Sequence, residues 1–522
     1  QHLENILQAV VNDKTLQLDF VPLMLPDEQQ LIVSDWNQTQ EPLPTYHSIV
    51  EVIETSAKLA PEKIAVVYES EAITYGELDQ QANQIAESLL QTGQVDGQPI
   101  GLYTNRGVHM IVGILGILKA GAAYLPLDPE YPVDRIDYMI KDSGASIVLS
   151  QDAIIEALKF SDKKILSIET ALATPLQQAG NLPTIKEAQM AYLIYTSGST
   201  GQPKGVPIKH KNLLHSTLAR YSFYPTNPTA FLLLSSFSFD SSVVGIFWTL
   251  SSGGKLVIPK KRIEQDVQQL TALIETQQVS HTLLLPSLYA MILNHTSATQ
   301  LRSLQNVMVA GEACPLGLVN QHYSTLPSCA LYNEYGPTEA SVWCIAHLIR
   351  PDEEDFVPIG KAIPNASVYI LDEQHQPVPI GVHGEIYIGG LGLSDGYLHR
   401  PELTSTRFIA HPFEKDARVY KTGDLARYHS DGNIEFLGRI DHQVKIRGFR
   451  VEPEEIQKVI AQHPNIKEAL VIVNTNNNHQ KQLIAYFTSD TSIDSSDLSL
   501  SLKDKLPNYM VPATSIQLEA FP

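Results

Sequence analysis

The stretch Tyr195-Thr196-Ser197-Gly198-Ser199-Thr200-Gly201-Gln202-Pro203-Lys204-Gly205 decides how this chain is to be read. Its glycines permit backbone geometries in which several N–H groups converge on one anion. The hydroxyls of Thr196, Ser197, Ser199 and Thr200 add donors, and Lys204 adds a positive point charge. An apolar run at 191–195 leads in as a strand, and residues 211–220 read as the helix that follows. This is the chemistry of holding a polyphosphate. The spacing excludes the commoner phosphate and nucleophile motifs. In a Walker pattern opened at Gly198 the sixth position must be glycine, and here it is Pro203. A nucleophile elbow around Ser197 needs glycine where Tyr195 stands. Gly390, Gly392 and Gly396 are spaced one residue too widely for a dinucleotide fingerprint.

On both sides of this loop, short apolar runs alternate with helical patterns. Residues 75–90 are amphipathic behind Thr74, with Glu77 placed for a capping box. Runs at 100–104, 124–127, 147–150, 191–195, 230–234, 282–285 and 307–310 read as buried parallel strands, with residues 107–120 as a buried helix. The fold class expected is α/β. Strands at 368–371 and 385–388 mark a smaller β region. After residue 440 the character changes. Residues 444–450 read as a basic strand, 453–461 as a helix with Glu454 and Glu455 in its first turn, and 470–473 and 483–486 as strands. The Ser/Asp stretch near 489–499 reads as a loop. The organisation expected is an N-terminal arm and linker over 1–45, a large core over 46–440 and a small α+β unit over 441–522.

Composition narrows the partners. The chain has 522 residues, 43% hydrophobic and 18% charged, enough for a large core and about two to four structural units. Lys plus Arg is 37 and Asp plus Glu is 57, a net charge of 37 − 57 = −20, which argues against a nucleic-acid partner, because phosphate neutralisation needs a basic face. Cys314, Cys329 and Cys344 form neither a disulfide framework nor a CxxC pair, which fits a reducing cytosol. The longest apolar run, 110–118, is far short of the roughly 20 residues that span a bilayer. Neither nucleic acid nor membrane is expected as a partner.

The chain resembles the adenylation domains of nonribosomal peptide synthetases, within the adenylate-forming superfamily. Besides the 195–205 loop, Leu118-Lys119-Ala120-Gly121-Ala122-Ala123-Tyr124-Leu125-Pro126-Leu127-Asp128-Pro129 resembles the second core motif and Phe239-Asp240-Ser241-Ser242 the fourth. Asn333-Glu334-Tyr335-Gly336-Pro337-Thr338-Glu339 resembles the fifth. Gly384-Glu385-Ile386-Tyr387-Ile388-Gly389-Gly390 with Gly396-Tyr397-Leu398 is similar to the sixth, and Tyr420-Lys421-Thr422-Gly423-Asp424 to the seventh. Gly438-Arg439-Ile440-Asp441-His442-Gln443-Val444-Lys445-Ile446-Arg447-Gly448 is similar to the eighth and Leu506-Pro507-Asn508-Tyr509-Met510-Val511-Pro512 to the ninth. The motifs stand in the family's order.

The resemblance implies a reaction in two halves. An amino acid carboxylate attacks the α-phosphate of Mg·ATP, releasing pyrophosphate, and the phosphopantetheine thiol of a downstream carrier domain then takes the aminoacyl group. It implies phosphate contacts from Thr196, Ser197, Ser199, Thr200 and Lys204, an α-phosphate contact from Thr338 and a Mg²⁺ contact from Glu339. Tyr335 would stack on adenine, framed by Gly311, Glu312, Ala313, Asn333 and Gly336. Asp424 would take the ribose hydroxyls, with Arg439 nearby. Asp240 would pair with the substrate's α-ammonium, which opposes the alternative of a carboxylate–CoA ligase. Ser241, Val244, Leu284, Met308, Ala310, Glu334, Val342 and Trp343 would wall the side-chain pocket. A buried carboxylate at Glu334 demands a cationic or hydrogen-bonding partner, so arginine is the first substrate expected and tyrosine or another large side chain the second.

Asp441 is the implied hinge, and Lys445 and Gly448 lie on the implied loop that turns toward the site. Residues 1–45 resemble the end of an upstream condensation domain with its linker. The family's tenth motif carries a lysine that would fall a few residues after Pro522. A catalytically impaired assembly-line domain is therefore a third expectation, opposed by the phosphate loop, Glu339, Asp424 and Arg439.

Overall fold

The computed structural model describes the chain except residues 1, 16–22, 94, 96, 157–162, 176–181, 199–200, 442, 447, 476–480 and 522. The architecture is α/β, as expected. Two sheets dominate. One has nine strands, with a parallel centre built from Ala330–Tyr335, Asn306–Ala310, His281–Leu284, Ala230–Leu232, Lys255–Ile258 and Ile64–Tyr68. Antiparallel strands finish both of its edges. The other has six strands, parallel from Lys164–Ser167 through Ile147–Ser150, Pro99–Tyr103 and Ala123–Leu127 to Met190–Thr196, and closed by the antiparallel Lys204–Lys209.

Parallel strands buried on both faces need continuous apolar runs. Val307, Met308 and Val309 are accordingly each fully buried, as are Tyr192 and Leu193. Between the two sheets, helix Val108–Lys119 is buried all round and lies against helix Tyr75–Leu90. A Cβ on Gly116 would meet Ile85 at 2.4 Å, so glycine is what lets the two helices approach. The polar end of this helix is neutralised, because Lys119 Nζ donates to Glu54, Asp79 and Asn83 at 2.6 to 2.8 Å. The capping box forms, with Glu77 N donating to Thr74 Oγ1 at 3.2 Å and Thr74 N to Glu77 Oε2 at 2.8 Å. Among the described residues no helix is long and apolar enough to cross a membrane. All three cysteines are buried and free.

The β region is a five-stranded antiparallel sheet that includes Ala366–Leu371, His383–Gly390, Arg418–Tyr428 and Ile434–Arg439. The N-terminal segment is fastened to it. Asn37 exchanges hydrogen bonds with the Val368 backbone, and Trp36 packs on Tyr428 at 4.9 Å. Helix His2–Asn12 buries none of its residues. Beyond residue 440 a separate core gathers Ile446, Ile456, Ile460, Leu483, Phe487 and Met510.

Three local expectations change. The Gly-rich loop after residue 196 does not run straight into a helix: Lys204–Lys209 returns antiparallel to Met190–Thr196 before helix His210–Phe223 begins. Val206 and Ile208 alternate inward on this short strand, a period too brief to stand out in sequence. Residues 444–450 are not one strand but a hairpin, Val444–Ile446 against Phe449–Val451, reversing near Gly448 at φ +78°. Residues 495–503, expected as loop, form helix Ser495–Lys503. Asp494 caps its N-terminus, and Leu498 and Leu502 supply an i, i+4 buried pair.

Candidate functional site

The loop after Met190–Thr196 sits where three parts of the chain meet. Tyr195 Oη donates to Asp142 Oδ2 at 2.9 Å, which anchors the strand end. Among the described residues Thr196 Oγ1 is buried and finds no hydrogen-bond partner, an orphaned polar atom of the kind that marks a ligand position. Ser197 Oγ donates to the Arg450 carbonyl at 2.9 Å, and Gly198 N to Glu455 Oε2 at 3.2 Å. Gly201 holds φ +82°, a conformation that favours glycine. Ser199 and Thr200 lie outside the described residues.

Lys204, at the start of the return strand, is buried and reaches Tyr397 Oη at 3.1 Å and Glu339 Oε1 at 3.5 Å. Burial and the neighbouring Arg450 bring its ammonium down to about 8. Glu339 is fully buried in the turn after strand Ala330–Tyr335. Burial alone would raise its carboxyl, but Arg450 and Lys204 outweigh that and hold it far below the ordinary range. Arg450 Nη1 donates to Glu339 at 3.0 and 3.2 Å, and Tyr397 Oη donates to it at 2.7 Å.

Asp240 lies beside this group. Burial raises its carboxyl, while the neighbouring Thr338 hydroxyl and the charge of Lys445 oppose the rise. Lys445 Nζ stands 5.8 Å from the Tyr335 ring centre, and burial lowers its ammonium. Tyr335 Oη donates to Asp424 Oδ2. Arg439 Nη1 donates to Asp424 Oδ1 at 2.7 Å, and its other nitrogens hold Asp441 at 2.6 and 2.7 Å. Gly311, at φ +85°, faces Gly448: a Cβ on Gly311 would lie 3.5 Å from the Gly448 Cα. Thus Thr196, Ser197, Lys204, Asp240, Thr338, Glu339, Tyr335, Asp424, Arg439 and Lys445 converge on one region, although they span 250 residues of sequence, from 196 to 445.

Other expected residues have different surroundings. Asn333 is buried and donates to the Pro358 carbonyl at 2.9 Å. Glu312 Oε2 accepts from Ser287 N at 3.3 Å, and Ala313 is exposed. Gly336 is wedged against the next turn, where a Cβ would meet the Trp343 Cα and the Val342 carbonyl at 2.5 Å. Ser341 and Val342 follow with φ +57° and +83°, and the latter is an outlier for a β-branched residue. Met308 and Ala310 pack in one apolar cluster with Val244, Trp343, Phe247 and Tyr332. Leu284, expected on the same wall, instead packs in a different apolar cluster with Val307 and Val309.

Glu334 also departs from expectation. The carboxylate was expected to await a cationic substrate, but the protein supplies the partner. Arg220 donates to it from both terminal nitrogens, at 2.6 and 3.1 Å, and Tyr224 Oη donates as well. Arg220 was missed because helix His210–Phe223 carries no motif. Arg450 and Glu455 were missed for a related reason. The eighth motif stops at Gly448, two residues short of Arg450, and Glu455 looks like an ordinary first-turn acid. In space Glu455 accepts from Arg135 at 2.9 Å as well as from Gly198.

The residues present fit a nucleotide with a divalent cation. An ionised, wholly buried carboxylate beside a lysine suits Mg²⁺ bound chiefly through phosphates and water. Among the described residues no group of three His, Cys, Asp or Glu side chains forms a cage of its own.

Residues 53–398 match the model of the AMP-binding enzyme family. The chain is 39% identical over 526 residues to gramicidin S synthase 2 of Brevibacillus brevis, covering 100% of this chain and 12% of that protein. It is 40% identical over 533 residues to polyketide synthase PksN of Bacillus subtilis (strain 168), covering 99% of this chain and 10% of that one. The chain therefore spans about a tenth of these relatives. Among solved structures it is similar to an artificially fused adenylation–PCP di-domain from Klebsiella oxytoca, with a TM-score of 0.83, 26% identity and coverage of 91% and 94% of the two chains. A four-domain nonribosomal peptide synthetase bound to AMP and glycine superposes with a TM-score of 0.75 at 31% identity, covering 100% of this chain and 39% of that one.

Proposed function

Because this chain belongs to the AMP-binding enzyme family, we propose that it activates an α-amino acid as its adenylate and passes it to the phosphopantetheine thiol of a carrier domain. One observation carries the reading. A carboxylate suited to an ammonium group, Asp240, lies near Thr338 and near a carboxylate suited to a metal, Glu339, which Lys204 approaches at 3.5 Å beside the Gly-rich loop. A carboxylic acid substrate, its amine and a polyphosphate each find a counter-charge there.

In this reading Asp240 fixes the α-ammonium and so orients the substrate carboxylate. Thr196, Ser197, Ser199, Thr200 and Lys204 hold the departing phosphates, and Thr338 donates toward the α-phosphate. Asp424 takes the ribose hydroxyls, oriented by Arg439, with Tyr335 against the base and Gly311, Glu312, Ala313, Asn333 and Gly336 framing it. Glu339 would hold Mg²⁺, which supplies neutralisation of the phosphate charge when bound. No group between Asp240 and Thr338 has to ionise anew for the carboxylate to attack, because the carboxylate is itself the nucleophile.

We place the working division at residues 1–45, 46–440 and 441–522. The last unit turns about Asp441 so that Lys445 faces the site for thioester formation, and the first is the run-out of an upstream condensation domain. The setting is the cytosol. For the substrate side chain, a large one is proposed. The pairing of Glu334 with Arg220 moves tyrosine or a similar uncharged side chain ahead of arginine. ATP–pyrophosphate exchange across all proteinogenic amino acids, with aryl and fatty acids as comparators, tests the reading. Exchange with an amino acid is expected. Exchange with simple carboxylic acids alone would replace it with a carboxylate–CoA ligase, and none with any acid would favour an impaired domain.

A further inference from the structure

Arg220 is buried inside helix His210–Phe223, at 1% side-chain exposure. Its guanidinium carbon lies 4.0 Å from the Trp343 ring centre, 5.5 Å from Trp248 and 5.9 Å from Tyr224. The cage is itself fixed, since Trp343 Nε1 donates to the Ser216 carbonyl at 2.9 Å and Trp248 Nε1 to Asn227 Oδ1 at 2.8 Å. From this cage Arg220 makes a two-pronged contact with Glu334. Glu334 is registered directly beside Ala310 on the neighbouring parallel strand, so the two side chains share one face of the sheet.

We infer that Arg220 sets the charge class of the substrate side chain. It is a positioning residue acting through Glu334: it turns a buried carboxylate into an electrically neutral wall, so the pocket accepts an uncharged side chain and rejects a cationic one. The inference rests on the amino-acid-activating reading above. A cation entering the pocket meets a carboxylate already satisfied by a guanidinium held among aromatic faces. It must desolvate without a free counter-charge, and it faces the like charge of Arg220. An uncharged side chain incurs neither penalty.

The test compares kcat/KM for pyrophosphate exchange with tyrosine, phenylalanine, leucine, glutamine, arginine, lysine and ornithine, using the full synthetase. Wild type should favour its best uncharged amino acid over all three cationic ones by at least about tenfold. Arg220→Met keeps bulk and removes the charge, so the ratio of cationic to uncharged kcat/KM should rise about tenfold or more. Adding Glu334→Gln to that variant should restore the original order, an outcome that loss of packing alone would not produce. If Arg220→Met does not fold by circular dichroism, Glu334→Gln alone serves. It leaves Arg220 without its counter-ion, and glutamate should then gain relative to glutamine. A wild-type preference for arginine, lysine or ornithine would overturn the inference while leaving amino acid activation intact. So would a folded Arg220→Met with unchanged ratios, or a folded Glu334→Gln in which glutamate gains nothing. Exchange with no amino acid at all, but with simple carboxylic acids, would instead remove the underlying reading.

Discussion

Arg450 Nη1 lies 3.0 Å from Glu339 Oε2, so a hairpin of the C-terminal unit places a cation against a fully buried carboxylate of the nucleotide region. The same hairpin leads into Glu455, which accepts from the amide of Gly198 in the phosphate loop. A protein cation thus faces Glu339, the carboxylate proposed for the metal, and a protein anion faces the Gly198 amide of the loop proposed for the phosphates. In the proposed reaction this arrangement suits the second half, after pyrophosphate has left. Removing Arg450 leaves Glu339 with Lys204 and Tyr397, so the first half-reaction should survive in Arg450→Met to within about fivefold. Thioester formation should fall by about tenfold or more, the scale of a lost charge-assisted hydrogen bond. Single-turnover measurement of both halves checks this, and equal losses in the two would refute the assignment.

Lys204, proposed to meet the phosphates, projects from strand Lys204–Lys209, a mounting more rigid than a loop. Lys204→Met should lower pyrophosphate exchange by about a hundredfold, as when a preorganised electrostatic contact is removed. The melting temperature should change little, because the methionine fills the same buried space. A variant exchanging at the wild-type rate would place the phosphates elsewhere.

Asp424 is held by Tyr335 from one side and Arg439 from the other, and Arg439 keeps Asp441 as a second anchor. Asp424→Ala should therefore leave Arg439 in place and remove only the acceptor offered to the ribose. KM for ATP should rise about tenfold or more, with a smaller change in KM for the amino acid. Nucleotide titration by fluorescence reads the same loss without turnover.

Gly336 has backbone atoms where a Cβ would sit, whereas Gly317, in helix Leu316–Thr325, has nothing within 4 Å. Gly336→Ala should destabilise the fold by about 1–3 kcal/mol and shift the turn carrying Thr338 and Glu339. Gly317→Ala should be neutral or stabilising by about 0.5–1 kcal/mol, since alanine is the better helix former. Urea unfolding of the two variants measures the contrast.

His210 and His281 are buried and their imidazoles are pushed down to about 4 from 6.5 by desolvation. A base whose folded value lies below its unfolded one is protonated first in the unfolded chain. Stability from these two sites is complete above about pH 6.5 and is lost as pH falls toward 4. Each contributes on the order of 3 kcal/mol over that window. Unfolding midpoints at pH 7.5, 6 and 5 should fall in step, and His281→Gln should flatten the decline.

Much of the site was legible because its chemistry is local. The Gly-rich loop, the fifth motif with Thr338 and Glu339, and Asp424 are each written in consecutive residues. Their backbone geometry follows from glycine, proline and short polar side chains. The alternation of apolar runs with helical patterns likewise forecast the parallel strands, since burial on both faces leaves no other composition for them. Brief or weakly apolar elements escaped: strand 204–209 spans only three alternations, and helix 495–503 hides its two buried leucines among serines.

The sequence alone determined the α/β class, the Gly-rich loop and the order of the motifs, because each depends on neighbours within a turn or a strand. Only the tertiary structure decided what each buried charge meets. Glu334 finds Arg220 at a separation of 114 residues, and Glu339 finds Arg450 at 111. A buried carboxylate must be paired, and the sequence states that need. Which cation answers depends on how helices and sheets pack, and that packing turned a wall expected to call for a cationic substrate into one already neutralised from within.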